Sequence, residues 1–140
     1  MSTDTLAPTT TQSTWRRAAA AVVVITIAAS VANLVIALVA QAAGADTADY
    51  RGLQPASYIS LTFLGVVAGV LAWIAVRAKA DRPAVVLRRL VPAVVLVSLL
   101  ADVAVGISVG WTGAIALGLM HVAVAAIAVP VLHRALPLDR

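Results

Sequence analysis

The chain has 140 residues, 62% of them hydrophobic and 11% charged, with a net charge of +4 and no cysteine. A soluble domain is about 45–50% apolar and about 25% charged, so there are too few polar residues here to cover an apolar core in water. Length allows one compact domain, and the missing cysteines exclude disulfides, thiolate catalysis and Cys-ligated metal.

Residues 1–15 are rich in Thr, Ser and Pro, lack apolar periodicity and read as a disordered tail. Crossing a ~30 Å hydrocarbon core takes ~20 apolar residues at ~1.5 Å per residue. A first span is predicted at 18–40 and a second at 58–76. From Leu90 to His133 the only charge is Asp102. As one helix that stretch would be ~66 Å long, twice the hydrocarbon thickness, so it must fold back. Gly110-Trp111-Thr112-Gly113 supplies the turn and divides it into spans at 90–109 and 111–132. The predicted fold class is therefore all-α: a polytopic four-transmembrane-helix bundle over 16–134, with a short tail at 135–140.

A signal peptide is the competing reading of the first run, because Arg16-Arg17 precede it and Ala43-Gly44-Ala45 resembles a cleavage site. A signal core is about 7–15 residues. This run is longer and Arg16-Arg17 lack the flanking residues of a twin-arginine signal, so a retained span is expected.

Basic residues set the orientation. Arg16, Arg17, Arg77, Lys79, Arg82, Arg88, Arg89, Arg134 and Arg140 fall on one side of the four spans, and Arg51 alone on the other. The positive-inside rule makes both termini and the middle loop cytoplasmic, N-in and C-in. The expected location is a bacterial cytoplasmic membrane, multi-pass. The middle-loop residues Arg77, Lys79, Arg82, Arg88 and Arg89 are candidate contacts for anionic lipid headgroups, at about 1 kcal/mol each near the surface. Their simplest role is to fix topology. No nucleic-acid motif accompanies them. Trp15, Tyr58, Trp73 and Trp111 fall near span ends, where interfacial rings sit. Pro92 is expected in the first turn of the third span, where its missing amide costs nothing, and Pro130 in a loosened last turn of the fourth.

Lipid tails are as apolar as Leu, so small residues and inter-helix hydrogen bonds must hold such helices together. Each span carries a stripe of that kind: Thr26, Ser30, Asn33 and Ala37; the Gly65-to-Gly69 GxxxG element; Ser98, Asp102 and Gly106; and Ala114, Gly118, His121 and Ala125. Gly65, Gly69, Gly106 and Gly118 are the predicted packing glycines. In so Ala-rich a chain the GxxxG contact is expected within one molecule, with a second copy or another membrane protein as the other partner.

Asn33, Asp102 and His121 lie ~10–15 Å from the predicted outer ends of three different spans. A charged Asp at mid-span costs roughly 2.5–3.5 kcal/mol, so such residues face inward, pair or lose their charge. Asn33, Ser98, Asp102 and His121 form the candidate intramembrane polar site. One reading is a buried Asp102–His121 clasp completed by Asn33 or Ser98. The other is a polar pocket or proton-accepting site. Haem is disfavoured because His133, the second histidine, lies twelve residues along the same span. Zinc needs about three or more ligands, which these residues do not supply. No cofactor, metal or catalytic residue is expected, and there is no phosphate loop, nucleophile elbow or HExxH.

Arg88-Arg89, Pro92, Ser98 and Asp102 on one helix, then Leu119-Met120-His121-Val122 on the next, resemble a family of unknown function. Its members are small four-helix membrane proteins of high-GC bacteria. The resemblance covers roughly Arg16 to Arg134 and centres on that Asp and the Met-His pair. It implies the fold and supplies no activity. The expected function is a non-enzymatic structural or interaction protein of the membrane. The alternatives are a small proton-coupled transporter or ligand-binding protein using Asp102 and His121, and a redox or quinone-associated component.

Overall fold

The structure is a computed structural model and describes residues 10–138. It contains α1 (Thr10–Ala42), a single 3-10 turn (Arg51–Leu53), α2 (Pro55–Lys79), α3 (Pro83–Ser108) and α4 (Trp111–Ala135). All four α-helices are long and apolar enough to cross a membrane. The all-α class and the four long apolar helices agree with the sequence reading.

The helix limits have local causes. No Gly or Pro occurs from Thr9 to Ala43. A helix nucleated in the apolar run can therefore propagate back to Thr10. Residues 10–15 are thus helical rather than tail, while residues 1–9 lie outside the described residues. At the other end Gly44 takes φ +92°, and the Ala45 amide donates to the Ala40 carbonyl at 2.9 Å. This six-to-one closure needs a left-handed residue, which glycine adopts without strain. Pro55 and Pro83 each open a helix, where a missing amide costs nothing.

Pro83 also corrects the placement of Pro92. Because α3 starts at Pro83, Pro92 lies inside the helix and not in its first turn. It removes one backbone hydrogen bond there. Arg77 and Lys79 likewise belong to the last turn of α2, and Arg88 and Arg89 to α3. The expected basic loop is a short turn flanked by basic helix ends. Arg77 is half-buried, and the other four basic residues are exposed. The helix α4 runs through Pro130 to Ala135. Beyond it Leu136 is 1% exposed, so the chain end is docked rather than a free tail as far as it is described.

In the bundle, α1 lies against α4 and α2, and α3 lies against α4. The contacts of α2 with α3 and α4 are much slighter. Two apolar clusters hold these elements. One gathers Ala21, Ile25, Val70, Trp73, Leu87, Leu132 and Leu136 near the basic ends. The other gathers Ala37, Tyr50, Leu53, Tyr58, Ala116 and Met120 near the opposite ends. The loop between α1 and α2 folds over this second end. Tyr50 lies flat on Gly113, where a Cβ would collide with its ring. Gly110, at φ +136°, makes the turn from α3 into α4.

The outer surface is apolar. Ile27, Leu100 and Ile107 are 61%, 68% and 76% exposed. Tyr58 and Trp73, expected among the interfacial rings, are buried instead. Trp73 donates its indole N–H to the Leu136 carbonyl at 3.0 Å and meets the His133 ring edge-on at 4.9 Å. An indole can enter an apolar core when its N–H finds a partner, and the end of α4 provides one. Trp15 and Trp111 are exposed, as interfacial rings would be.

Candidate functional site

The polar residues occupy a layer between the two apolar clusters. Asp102 follows from the i, i+4 stripe of α3, which turns Asp102 and Gly106 toward α4. On α4, Gly118 lies one turn before His121 and lets α3 and α4 approach closely at Leu99. A Cβ at Gly118 would stand 3.1 Å from Leu99 Cδ2 and 3.8 Å from Asp102 Oδ2. Across that gap His121 Nδ1 lies 2.8 Å from Asp102 Oδ2. Among the described residues this is the only contact between oppositely chargeable groups at ion-pair distance.

The two partners sit in different surroundings. The Asp102 side chain is 11% exposed and that of His121 is 44% exposed. The carboxylate is therefore the buried anchor, and the imidazole is the part that reaches out. With the proton on Nδ1, the ring donates to Asp102 and leaves Nε2 as an acceptor. With the proton on the carboxyl, Asp102 donates and Nε2–H becomes a donor. The first state carries the single negative charge of the carboxylate and the second is neutral, so a change of character at Nε2 goes with the gain or loss of one proton.

Neither expected third member joins it. Asn33 turns toward α2 and donates from Nδ2 to Thr62 Oγ1 at 3.0 Å. Ser98 returns its hydroxyl to the Val94 carbonyl of its own helix at 3.0 Å. A hydroxyl bound to its own helix has no need of a partner elsewhere, so Ser98 borders the site without belonging to the pair. Asn33 is 2% exposed, and its Oδ1 has no hydrogen-bond partner among the described residues. Thr26 Oγ1 and Ser30 Oγ, on the same helix, are also buried without partners. Thr62 did not stand out in the sequence. Its signal was a lone hydroxyl one turn after Tyr58 and one turn before Val66, on the buried face of α2.

The GxxxG element behaves unlike the other glycines of the α-helices. A Cβ at Gly65 or Gly69 would meet nothing within 4 Å. The expected intrachain packing is absent at both positions. Gly106, in contrast, lies under the Trp111 ring, and Gly118 lies against Leu99. The reason is the splay of α2 away from α3. It opens a cleft of about 390 Å³ walled by α2 on one side and by α3 and α4 on the other. Gly65 and Gly69 line it, as do Asn33, Thr62, Ser98 and His121. Thr62 to Trp73 spans ~16 Å along α2, so the cleft continues well past the polar layer. Among the described residues no group of three or more His, Cys, Asp or Glu side chains could hold a metal.

A family model described only as a family of unknown function, DUF6069, matches residues 9–137. The chain belongs to that family. No curated protein and no solved structure matches it.

Proposed function

We propose that this is a multi-pass protein of the bacterial cytoplasmic membrane, N-in and C-in, that binds a lipid-soluble ligand in the cleft beside α2. The four apolar helices support insertion, and nine basic residues against one support the orientation. Arg77, Lys79, Arg82, Arg88 and Arg89 then face anionic headgroups of the cytoplasmic leaflet.

The observation that carries the binding reading is the asymmetry of the Asp102–His121 pair. A fastener between two helices gains most when both partners are buried. Here the imidazole is 44% exposed and borders the cleft, while the carboxylate behind it is buried. That arrangement orients one ring nitrogen inward and leaves the ring available to a molecule in the cleft. The two states of the pair differ by one proton, which also suits proton-coupled binding.

The clasp reading keeps one observation of its own, the burial of Asp102 between α3 and α4. A cleft-filling substitution separates the two. Gly65→Phe starts from a position where a Cβ meets nothing within 4 Å among the described residues and adds its ring to the lining of the cleft. The purified wild type is expected to carry a stoichiometric apolar molecule, seen by native mass spectrometry after transfer from its own membrane. Gly65→Phe is expected to lose it and to match the thermal stability of wild type stripped of the molecule. If wild type carries nothing, or Gly65→Phe carries the same load, the pair is a fastener and the binding reading fails.

A further inference from the structure

The ligand class can be narrowed from the charges and hydrogen-bonding capacity of the cleft, an inference that rests on the binding reading above. Among the described residues no Lys, Arg, Asp or Glu lines the cleft, and the one basic group there, His121, is already matched by Asp102. An anionic headgroup brought inside would add an uncompensated charge in a low-dielectric space, which is costly. A pure hydrocarbon would leave unanswered the Oδ1 of Asn33, a residue that lines the cleft, is 2% exposed and whose Oδ1 has no hydrogen-bond partner among the described residues. An unmade hydrogen bond at a buried amide is a standing penalty that a ligand can remove.

The Asn33 amide is oriented by Thr62. Its Nδ2 donates to Thr62 Oγ1, so the free atom is the carbonyl oxygen, an acceptor. It calls for a donor. His121 lines the same cleft, and its Nε2 can serve as a second acceptor when the ring proton is on Nδ1. We propose that the cleft takes a single-chain neutral amphiphile with a terminal hydroxyl, a long-chain alcohol. Its O–H donates to Asn33 Oδ1, and its apolar chain lies along Gly65, Gly69 and Trp73. The exposed glycines fit this assignment, since the absence of side chains there leaves a smooth wall for a chain.

The test uses the full chain in nanodiscs, with saturable binding read by native mass spectrometry. The probes share one chain length: hexadecan-1-ol, its methyl ether, hexadecanoate and hexadecane. The alcohol is expected to bind one per chain and to outcompete the ether by about tenfold, the ~1.4 kcal/mol that one hydrogen bond supplies. Hexadecanoate and hexadecane are expected to bind more weakly than the alcohol. The double variant Asn33→Leu/Thr62→Val replaces both partners by apolar groups, a change that folding tolerates better than either single one. It is expected to erase the preference for the alcohol over the ether. Equal binding of alcohol and ether, tighter binding of the carboxylate, or an unchanged preference in the double variant would overturn the hydroxyl assignment while leaving the cleft as a binding site. Failure of all four probes, with Gly65→Phe retaining the wild-type load, would overturn the cleft reading itself.

Discussion

Removing one member of the Asp102–His121 pair should cost different amounts depending on which member is removed. In Asp102→Ala the stranded partner is an imidazole whose side chain is 44% exposed, and it can turn further into the cleft. In His121→Ala the stranded partner is a carboxyl that is 11% exposed and has no second hydrogen bond among the described residues. Leaving a buried polar group unsatisfied costs about 1–3 kcal/mol, and hydrogen bonds between membrane helices contribute about 0.6 and at most about 1.7 kcal/mol. His121→Ala should therefore destabilise by about 2 kcal/mol and Asp102→Ala by about 1 kcal/mol. The double variant should cost no more than His121→Ala alone, giving a coupling of about 1 kcal/mol. The assay is reversible unfolding in mixed micelles followed by circular dichroism. Additive single effects would show that the 2.8 Å contact does not couple the two side chains. A larger cost for Asp102→Ala would show that the imidazole is the buried partner, and the reasoning about which group reaches the cleft would fail.

Two further substitutions probe the frame around the site. Gly113→Ala drives a methyl into the Tyr50 ring and should destabilise by about 1–3 kcal/mol, with part of the loss recovered in Gly113→Ala/Tyr50→Ala, both read as thermal midpoints. Trp73→Phe keeps the ring in the core but removes the donor to the Leu136 carbonyl, and should cost about 1 kcal/mol and loosen the chain end, seen as faster amide exchange after Leu132.

The number of long helices, the α3–α4 turn and the meeting of Asp102 with His121 were legible in the sequence for simple reasons. Charge-free runs of fixed length allow few alternatives. A hairpin with a two-residue turn leaves the two helices side by side, so polar residues at similar depth meet. The positions of Asn33 and Ser98 were not legible in the same way. Asn33 has faces toward more than one helix, and the choice of Thr62 depends on how α1 rotates against α2. Ser98 satisfies itself on its own backbone, which no side-chain pattern reveals. The glycines of α2 misled because GxxxG reports that two surfaces can approach closely, not that they do. The α-helical glycines that do pack, Gly106, Gly113 and Gly118, each face an identifiable side chain: Trp111, Tyr50 and Leu99. Pro92 misled because charge was used to set the start of α3, whereas Pro83 sets it two turns earlier.

The cleft beside α2 is the feature on which the functional account stands, and the cysteine-free chain makes it directly accessible to measurement. Single cysteines at Gly65, Val66, Gly69 and Val70 can be spin-labelled in bilayers and their collision with dissolved oxygen measured by power saturation. High accessibility is expected at 65 and 69, where the wall is open, and low accessibility at 66 and 70, where the valines are 4% and 3% exposed. Protection at 65 and 69 equal to that at 66 and 70, in protein stripped of bound lipid, would mean that a helix closes on the glycine face, and the cleft would not exist in the membrane.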